Sequence, residues 1–334
     1  MHGPRTQGAP SPQVCAAIVI GMLAMLAVPA ALTLHAVRLP ARLVLQPNPT
    51  PYGYTWSLLL FIVPIGVIFG WFLPSEGLEV PRRAFWRTLG ILVPLGFLLD
   101  FFFARWFFCY PNGEATLGIR AWALGHDVPL EEYVFYASGF LAVLLLYVWL
   151  GEYWLAAYNV LDYPGEAQRL RRLLKFHPTS LILAVVLIGA AWFYKKHFAL
   201  PEDRSGFPGY FTVLAAGGLV PAMSCYPVAR RFINWRAFSL TLFFILLTSL
   251  MWEATLAVPY GWWTYQHRQM MGMFVGAWSG LPIEAVCVWM AVTYATVIVF
   301  EILKLWQASG KSAREALWGG NQGRMIPSVV RRKT

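Results

Sequence analysis

Charge is what this chain has least of. Only 13% of its 334 residues are Asp, Glu, Lys or Arg, against 58% hydrophobic and 16% aromatic, where a soluble domain carries about 25% charged residues. That scarcity excludes a water-soluble globular protein. Cysteine is sparse as well: Cys15, Cys109, Cys225 and Cys287 are scattered, with no C-x-x-C pair and no histidine at ligand spacing, so neither a disulfide framework nor a zinc site is indicated. The chain has no G-x-G-x-x-G and no G-x-x-x-x-G-K-[ST]. Flavin, NAD and P-loop nucleotides therefore have no sequence support, and no cofactor or metal is expected.

Long apolar runs fill the place of the missing charge. Stretches long enough to cross about 30 Å of hydrocarbon occur near residues 13–34, 54–74, 87–104, 129–150, 178–197, 208–227, 236–257 and 282–304. They predict an all-α integral membrane protein with about eight transmembrane helices. Val28-Pro29-Ala30-Ala31, at the end of the first run, also has the small-residue character of a signal-peptide cleavage region. The formal charge of +10 fits loops meeting anionic lipid; nucleic acid is not the expected partner. With eight spans both termini share a side, and 18 of the 26 basic residues fall on that side and 8 on the other. The positive-inside rule then predicts cytoplasmic termini, most simply in an inner or plasma membrane.

The two halves read as copies. Residues 83–89 (RAFWRTL) recur at 236–242 (RAFSLTL), five identities in seven at an offset of 153. The same offset relates Asp100 to Glu253, Pro129 to Pro282 and Glu131 to Glu284 in one unbroken register. Two tandem four-helix repeats follow: a first membrane repeat over 1–150, a basic cytoplasmic linker over 151–176, a second repeat over 177–306 and a basic cytoplasmic tail over 307–334. An even number of spans per repeat gives both halves the same orientation, related by a pseudo-twofold axis along the membrane normal.

Against that frame the few carboxylates stand out. Glu131 and Glu132 follow Pro129, and Glu284 follows Pro282, with Ala285 in place of the second glutamate. Proline and acid in a first helical turn also suit an ordinary helix start. Asp100 and Glu253 fall within apolar runs, where a carboxylate costs several kcal/mol unless protonated, paired or facing a polar cavity. An ion pair of Asp100 with Arg105 is one such alternative, and Glu301 with Lys304 three residues on reads as an interfacial anchor. A cluster of buried acids can hold a proton, and a proton donor in an apolar site is what protonation of a C=C bond requires. The resulting carbocation needs water excluded, a π-rich surface and finally a base. Trp106 and Tyr110 in the first half, and Trp252, Trp262, Trp263 and Tyr265 in the second, are the candidate cation-stabilising rings, with the interfacial aromatic belt as the competing explanation.

An acid late in one span, a loop carrying G-x-W-x-[FY] (Gly261-Trp262-Trp263-Thr264-Tyr265), and P-[LI]-E-E opening the next span together resemble the lycopene cyclase domain of membrane-embedded, flavin-independent cyclases. These are paired small subunits in some bacteria and fused tandem domains in archaea and fungi. The resemblance covers about residues 54–150 and 208–304. It implies proton-initiated, redox-neutral ring closure at the ψ-end of a linear carotene, with Glu131, Glu132 and Glu284 as acid or base residues and Asp100 and Glu253 as the intramembrane acids. The sequence departs from the pattern at Ala285, at Phe108, where the first copy would carry a motif tryptophan, and at Glu253, where aspartate is usual. Alternatives are a cyclase or hydratase acting on another polyprenyl chain, and a non-catalytic lipid-binding or proton-coupled transport protein. The expected partners are a lipophilic carotene or other polyprenyl chain and membrane lipid, in an undetermined oligomeric state.

Overall fold

The computed structural model describes residues 51–75, 80–123 and 126–319, and with them four helical positions near the N-terminus, Gln13, Ala17, Ile20 and Ala24. The first apolar run, 13–34, otherwise lies outside the described residues, as do 76–79 and the tail beyond 319. Among the described residues seven helices are long and apolar enough to cross a membrane: α1 (Gly53–Ser75), α2 (Arg82–Phe107), α3 (Leu130–Trp154), α4 (Pro178–His197), α5 (Gly209–Ala229), α6 (Trp235–Ala257) and α7 (Glu284–Ser309). Each coincides with one of the predicted runs. The protein is an all-α membrane protein, and among the described residues the only strands are short pairs in the loops.

Three helices, α3, α6 and α7, make the centre. Half or more of their most apolar windows is buried, against 22–33% for α1, α2, α4 and α5. Lipid is as apolar as leucine, so association of these helices rests on close packing and on polar contacts rather than on escape from water. Small residues allow the closest approach: a Cβ on Gly218 of α5 would meet Ala291 of α7 at 3.7 Å.

Successive helices run in opposite directions, which sorts the connections to two ends. At one end lie 108–129, 198–208 and 258–283, joined to each other and to the start of α1. Tyr52 N donates to Glu114 O at 2.9 Å, and His267 Nδ1 meets Asp203 Oδ1 at 2.8 Å. At the other end lie 155–177, 230–234 and 310–319. There the stretch expected as a linker is ordered. It contains a helix, Tyr163–Arg169, whose start is capped by Asp162, and its backbone bonds to a short C-terminal helix, Ala313–Trp318, through Leu173 N to Ala316 O at 2.7 Å. Glu301 sits at this second end, where it accepts from Lys304 Nζ at 3.1 Å and Tyr147 Oη at 3.0 Å. The Glu301–Lys304 pair expected from the sequence is thus formed.

Candidate functional site

The loop after α2 and the loop after α6 pair with one another. Strand β1 (Phe108–Cys109) lies antiparallel to β4 (Thr264–Tyr265), with Phe108 opposite Tyr265. Asn112 N donates to Gly261 O at 3.1 Å and Gln266 N to Phe107 O at 2.8 Å. Each loop then makes a hairpin, β2 (Arg120–Ala123) with β3 (His126–Pro129) in the first half and β5 (Phe274–Val275) with β6 (Leu281–Pro282) in the second. The proline closing each hairpin delivers the chain into α3 or α7 with its glutamate in or beside the first turn.

Three backbone contacts recur in both halves. Leu130 N donates to Ile119 O at 2.9 Å, and Ile283 N to Met273 O at 3.0 Å. Leu117 N donates to Glu131 Oε1 at 2.7 Å, and Met271 N to Glu284 Oε1 at 2.5 Å. The two bonds between the paired loops are likewise counterparts of one another. The loop positions match at an offset of 154, whereas the acids match at 153, so the register read as unbroken from the sequence is broken here. The added residue enters at a π-helical turn, Glu253–Ala257, in α6, since such a turn holds one residue more than an α turn. It is lost again in the hairpin, where Val275 pairs with Leu281 but Ala121 pairs with Val128, one residue further along.

All five predicted acids are buried: Asp100 and Glu253 are 3% exposed, Glu131 1%, Glu132 6% and Glu284 0%. Their partners differ. Glu131 Oε1 accepts from Leu117 N and from Thr55 Oγ1 at 2.6 Å, and Glu132 Oε2 accepts from Tyr54 Oη at 2.8 Å. Glu253 accepts from Tyr265 Oη at 2.5 Å and from Trp289 Nε1 at 3.2 Å. Asp100 accepts from none: neither carboxyl oxygen has a hydrogen-bond partner. It lies close enough to Glu132 for their charges to interact. Tyr110, in the loop above, is buried beside this pair. Burial, reinforced by Glu132 and Asp100, holds its phenol well above the ordinary tyrosine range, so it remains a neutral O–H.

Asp100 opens on a cavity between the two halves, walled by α2 and α3 on one side and α5 and α7 on the other. The wall is hydrocarbon and aromatic apart from three side chains: Asp100, Tyr136 and Tyr210. Leu95, Leu99 and Phe103 of α2 belong both to this wall and to the exposed surface, at 48%, 37% and 38%. On that side the cavity borders the exposed surface of α2.

The matching position in the second half is packed solid. At the offset of 153, Leu99 becomes Trp252, Tyr136 becomes Trp289, Leu214 becomes Phe61 and Val288 becomes Phe135. These rings interlock around Glu253: Phe61 stacks on Trp289 at 5.9 Å, Phe135 lies 5.1 Å from Trp252, and Trp252 lies 5.0 Å from Trp263. A cavity survives further along α1, α3 and α6, but no carboxyl lines it.

None of the six rings predicted from the sequence lines the Asp100 cavity. Trp252, Trp262 and Trp263 belong to the solid cluster, with Trp262 stacked on Tyr54 at 5.9 Å. Tyr265 is spent on Glu253, and Tyr110 is buried among the first-half acids. Trp106 is half exposed, beside Arg105 on the outer face of α2. The rings that do line the cavity are Phe103, Phe107, Phe108, Tyr136, Phe140 and Tyr210. Of the residues the sequence reading passed over, Tyr210 is the most central, since the charges of Glu253, Glu132, Glu284 and Asp100 all reach it. Lys195 is fully buried at the end of α4, donating to Met270 O at 2.6 Å and His267 O at 3.1 Å. Among the described residues no group of His, Cys, Asp or Glu has a metal-holding arrangement. Comparison of the chain with family models, with curated proteins and with solved structures finds no match.

Proposed function

We propose that this protein is a membrane-embedded cyclase of a linear carotene, or of a closely related polyprenyl chain, that closes a ring by protonating the terminal C=C bond of the ψ-end. The observation that carries the reading is Asp100: a buried carboxyl with two unbonded oxygens, set in an apolar cavity whose other polar groups are two tyrosine hydroxyls. A buried carboxylate without a partner is costly, and a proton removes that cost. Protonated, Asp100 is an acid aimed at whatever hydrocarbon enters.

The surroundings support the remaining steps. Transfer of the Asp100 proton to the terminal alkene carbon leaves a tertiary carbocation. Attack by the neighbouring double bond closes the ring and moves the positive charge into it. The rings of Phe103, Phe107, Phe108 and Phe140 offer π faces to that charge, and the apolar wall keeps water from capturing it. Loss of a proton to a base restores neutrality, so no electron is gained or lost and no redox cofactor is called for. Tyr136 and Tyr210 are the wall hydroxyls able to carry a proton between the cavity and the glutamates behind it. The half-exposed wall at Leu95, Leu99 and Phe103 suits entry of an isoprenoid end-group directly from the lipid.

The paired loops and the recurring bonds to Glu131 and Glu284 support two tandem repeats about a pseudo-twofold axis through the β1–β4 contact. The end of the molecule away from Asp100 holds most of the basic side chains of the described residues, among them Arg82, Arg83, Arg87, Arg171, Arg172 and Arg230. By the positive-inside rule that end is cytoplasmic, with the reaction near the opposite face. The test is expression in a host that accumulates lycopene, with pigments separated by chromatography. A cyclic product is expected, and its absence from well-expressed protein overturns the assignment.

A further inference from the structure

The buried ammonium of Lys195 and the carboxyl of Glu284 grip the same peptide group from opposite sides. Lys195 Nζ donates to the carbonyl of Met270 at 2.6 Å, and the N–H on the other side of that peptide bond, that of Met271, donates to Glu284 Oε1 at 2.5 Å. A peptide held between a cation and an acceptor is polarised along the chain ammonium, carbonyl, N–H, carboxylate, and each bond strengthens the next. The first half builds its counterpart differently. Glu131 accepts from the matching N–H, that of Leu117, and takes its second bond from the neutral hydroxyl of Thr55.

We infer that Lys195 is the positioning residue of Glu284 and eases its ionisation, making it the proton-accepting member of the acid set and leaving Asp100 with Glu132 as the donating side. The inference rests on the cyclisation reading for the direction of proton flow, although the relay itself does not. Three features support it. Lys195 is fully buried, so its stem and charge are committed to this contact instead of reaching for the interface as a lysine at a helix end ordinarily does. The loop it grips is fixed on its other flank by Asp203 and His267. Glu284 also stands at the head of the α7 face that continues through Val288, Ala291 and Ala295 into the cavity wall, close enough to Tyr210 for its charge to reach that residue.

In the reaction, the proton that Asp100 adds to the alkene is balanced by one leaving a carbon next to the ring cation. Tyr210 accepts that proton and passes its own to Glu284. The cycle closes when the proton returns by the same hydroxyl to Asp100. Groups facing Glu284 from the surrounding elements are Lys195 on α4, Tyr210 on α5 and Cys287 on its own helix.

Infrared difference spectra of the full chain in lipid nanodiscs test the relay without substrate. Lys195→Gln keeps a donor for the carbonyls and removes the charge. It is expected to add a protonated-carboxyl C=O band that disappears in the Lys195→Gln/Glu284→Gln double variant, whereas Lys195→Arg, which keeps the charge, adds none. A Lys195→Gln spectrum with no band dependent on Glu284 overturns the inference, and Lys195→Met serves for the same comparison if the glutamine variant does not fold. In lycopene-loaded vesicles, Lys195→Gln should lower kcat by at least about tenfold at unchanged KM, a fraction of what a positioned base contributes. A Glu284-dependent band without cyclic product from any variant would leave the relay standing and remove the cyclisation reading instead.

Discussion

Asp100 and Glu253, 153 residues apart in the chain, live in opposite surroundings. Glu253 is roofed by Trp252 and Trp289 and bonded by Tyr265 and Trp289. Asp100 is bare and faces a cavity. The backbone bonds that recur in both halves do not account for the contrast, since they hold Glu131 and Glu284 alike. Side-chain volume does. Where Asp100 has Leu99, Tyr136, Leu214 and Val288 around it, Glu253 has Trp252, Trp289, Phe61 and Phe135. On the proposed reading the surroundings of Asp100 serve the chemistry and those of Glu253 serve support: one keeps room for a ligand, and the other is filled by interlocked rings.

The sharpest way to break the contrast is to neutralise each acid in turn. Asp100→Asn should lower cyclic product by about 10² to 10⁴, the usual contribution of a positioned general acid, while leaving thermal unfolding in detergent unchanged or slightly raised, since no native hydrogen bond is lost. Glu253→Gln should do the reverse. Product stays within a few fold, but stability falls by about 1–3 kcal/mol, because the Tyr265 hydroxyl loses its carboxyl acceptor in a buried place. Equal loss of product from both variants would mean that both halves are catalytic.

Exchanging bulk between the halves comes next. Trp252→Ala removes the centre of the solid cluster and should cost about 3–5 kcal/mol, seen as an earlier unfolding midpoint with product made normally at low temperature. Gly217 lines the open cavity and has nothing within 4 Å of where a Cβ would stand. Gly217→Phe should therefore fold and yet abolish product by occupying the seat of the end-group. Retained activity in that variant would move the substrate to a different cavity.

How much of this was legible beforehand follows from the range of each interaction. The spans were legible because a run of apolar residues is a local signal, and the acid pairs because a repeat preserves its spacing. The identity of the open site was not, since it depends on rings from α1, α3 and α7 that converge from far apart in the chain. Tyr210, just inside the start of an apolar run, is indistinguishable in sequence from an interfacial tyrosine. Lys195 reads as a residue reaching for headgroups, and only the fold brings the carbonyls of 267 and 270 to it. The shift from 153 to 154 was hidden because a single added residue in a helix leaves the hydrophobic pattern almost intact.

The same contrast explains why the missing second glutamate is not readily put back. Glu132 is accommodated because Tyr54 donates to it and Asp100 and its cavity lie alongside. Ala285, its counterpart, is fully buried. Ala285→Glu would introduce a carboxyl into that packing, so a loss of about 3–5 kcal/mol, the cost of an uncompensated buried charge, is expected in a chemical unfolding titration. A variant as stable as the parent would show hidden room beside α7 and weaken the division of labour between the halves.

The smallest effect is expected at Trp106, which as an aromatic next to an acid-bearing stretch is a reasonable candidate for cation stabilisation. Six residues beyond Asp100 on a helix with 3.6 residues per turn, it points about 120° away from the acid around α2. It is accordingly half exposed, beside Arg105, and absent from the cavity wall. Phe103 and Phe107, three and seven residues beyond Asp100, lie on its side of the helix and do line the wall. Trp106→Ala should change stability by no more than about 0.5 kcal/mol, as for other surface substitutions, and leave product yield as it was. Phe107→Ala should lower product while Trp106→Ala does not. If the order were reversed, the reacting end-group would lie on the lipid-facing side of α2, and the cavity between the halves would lose its claim to the chemistry.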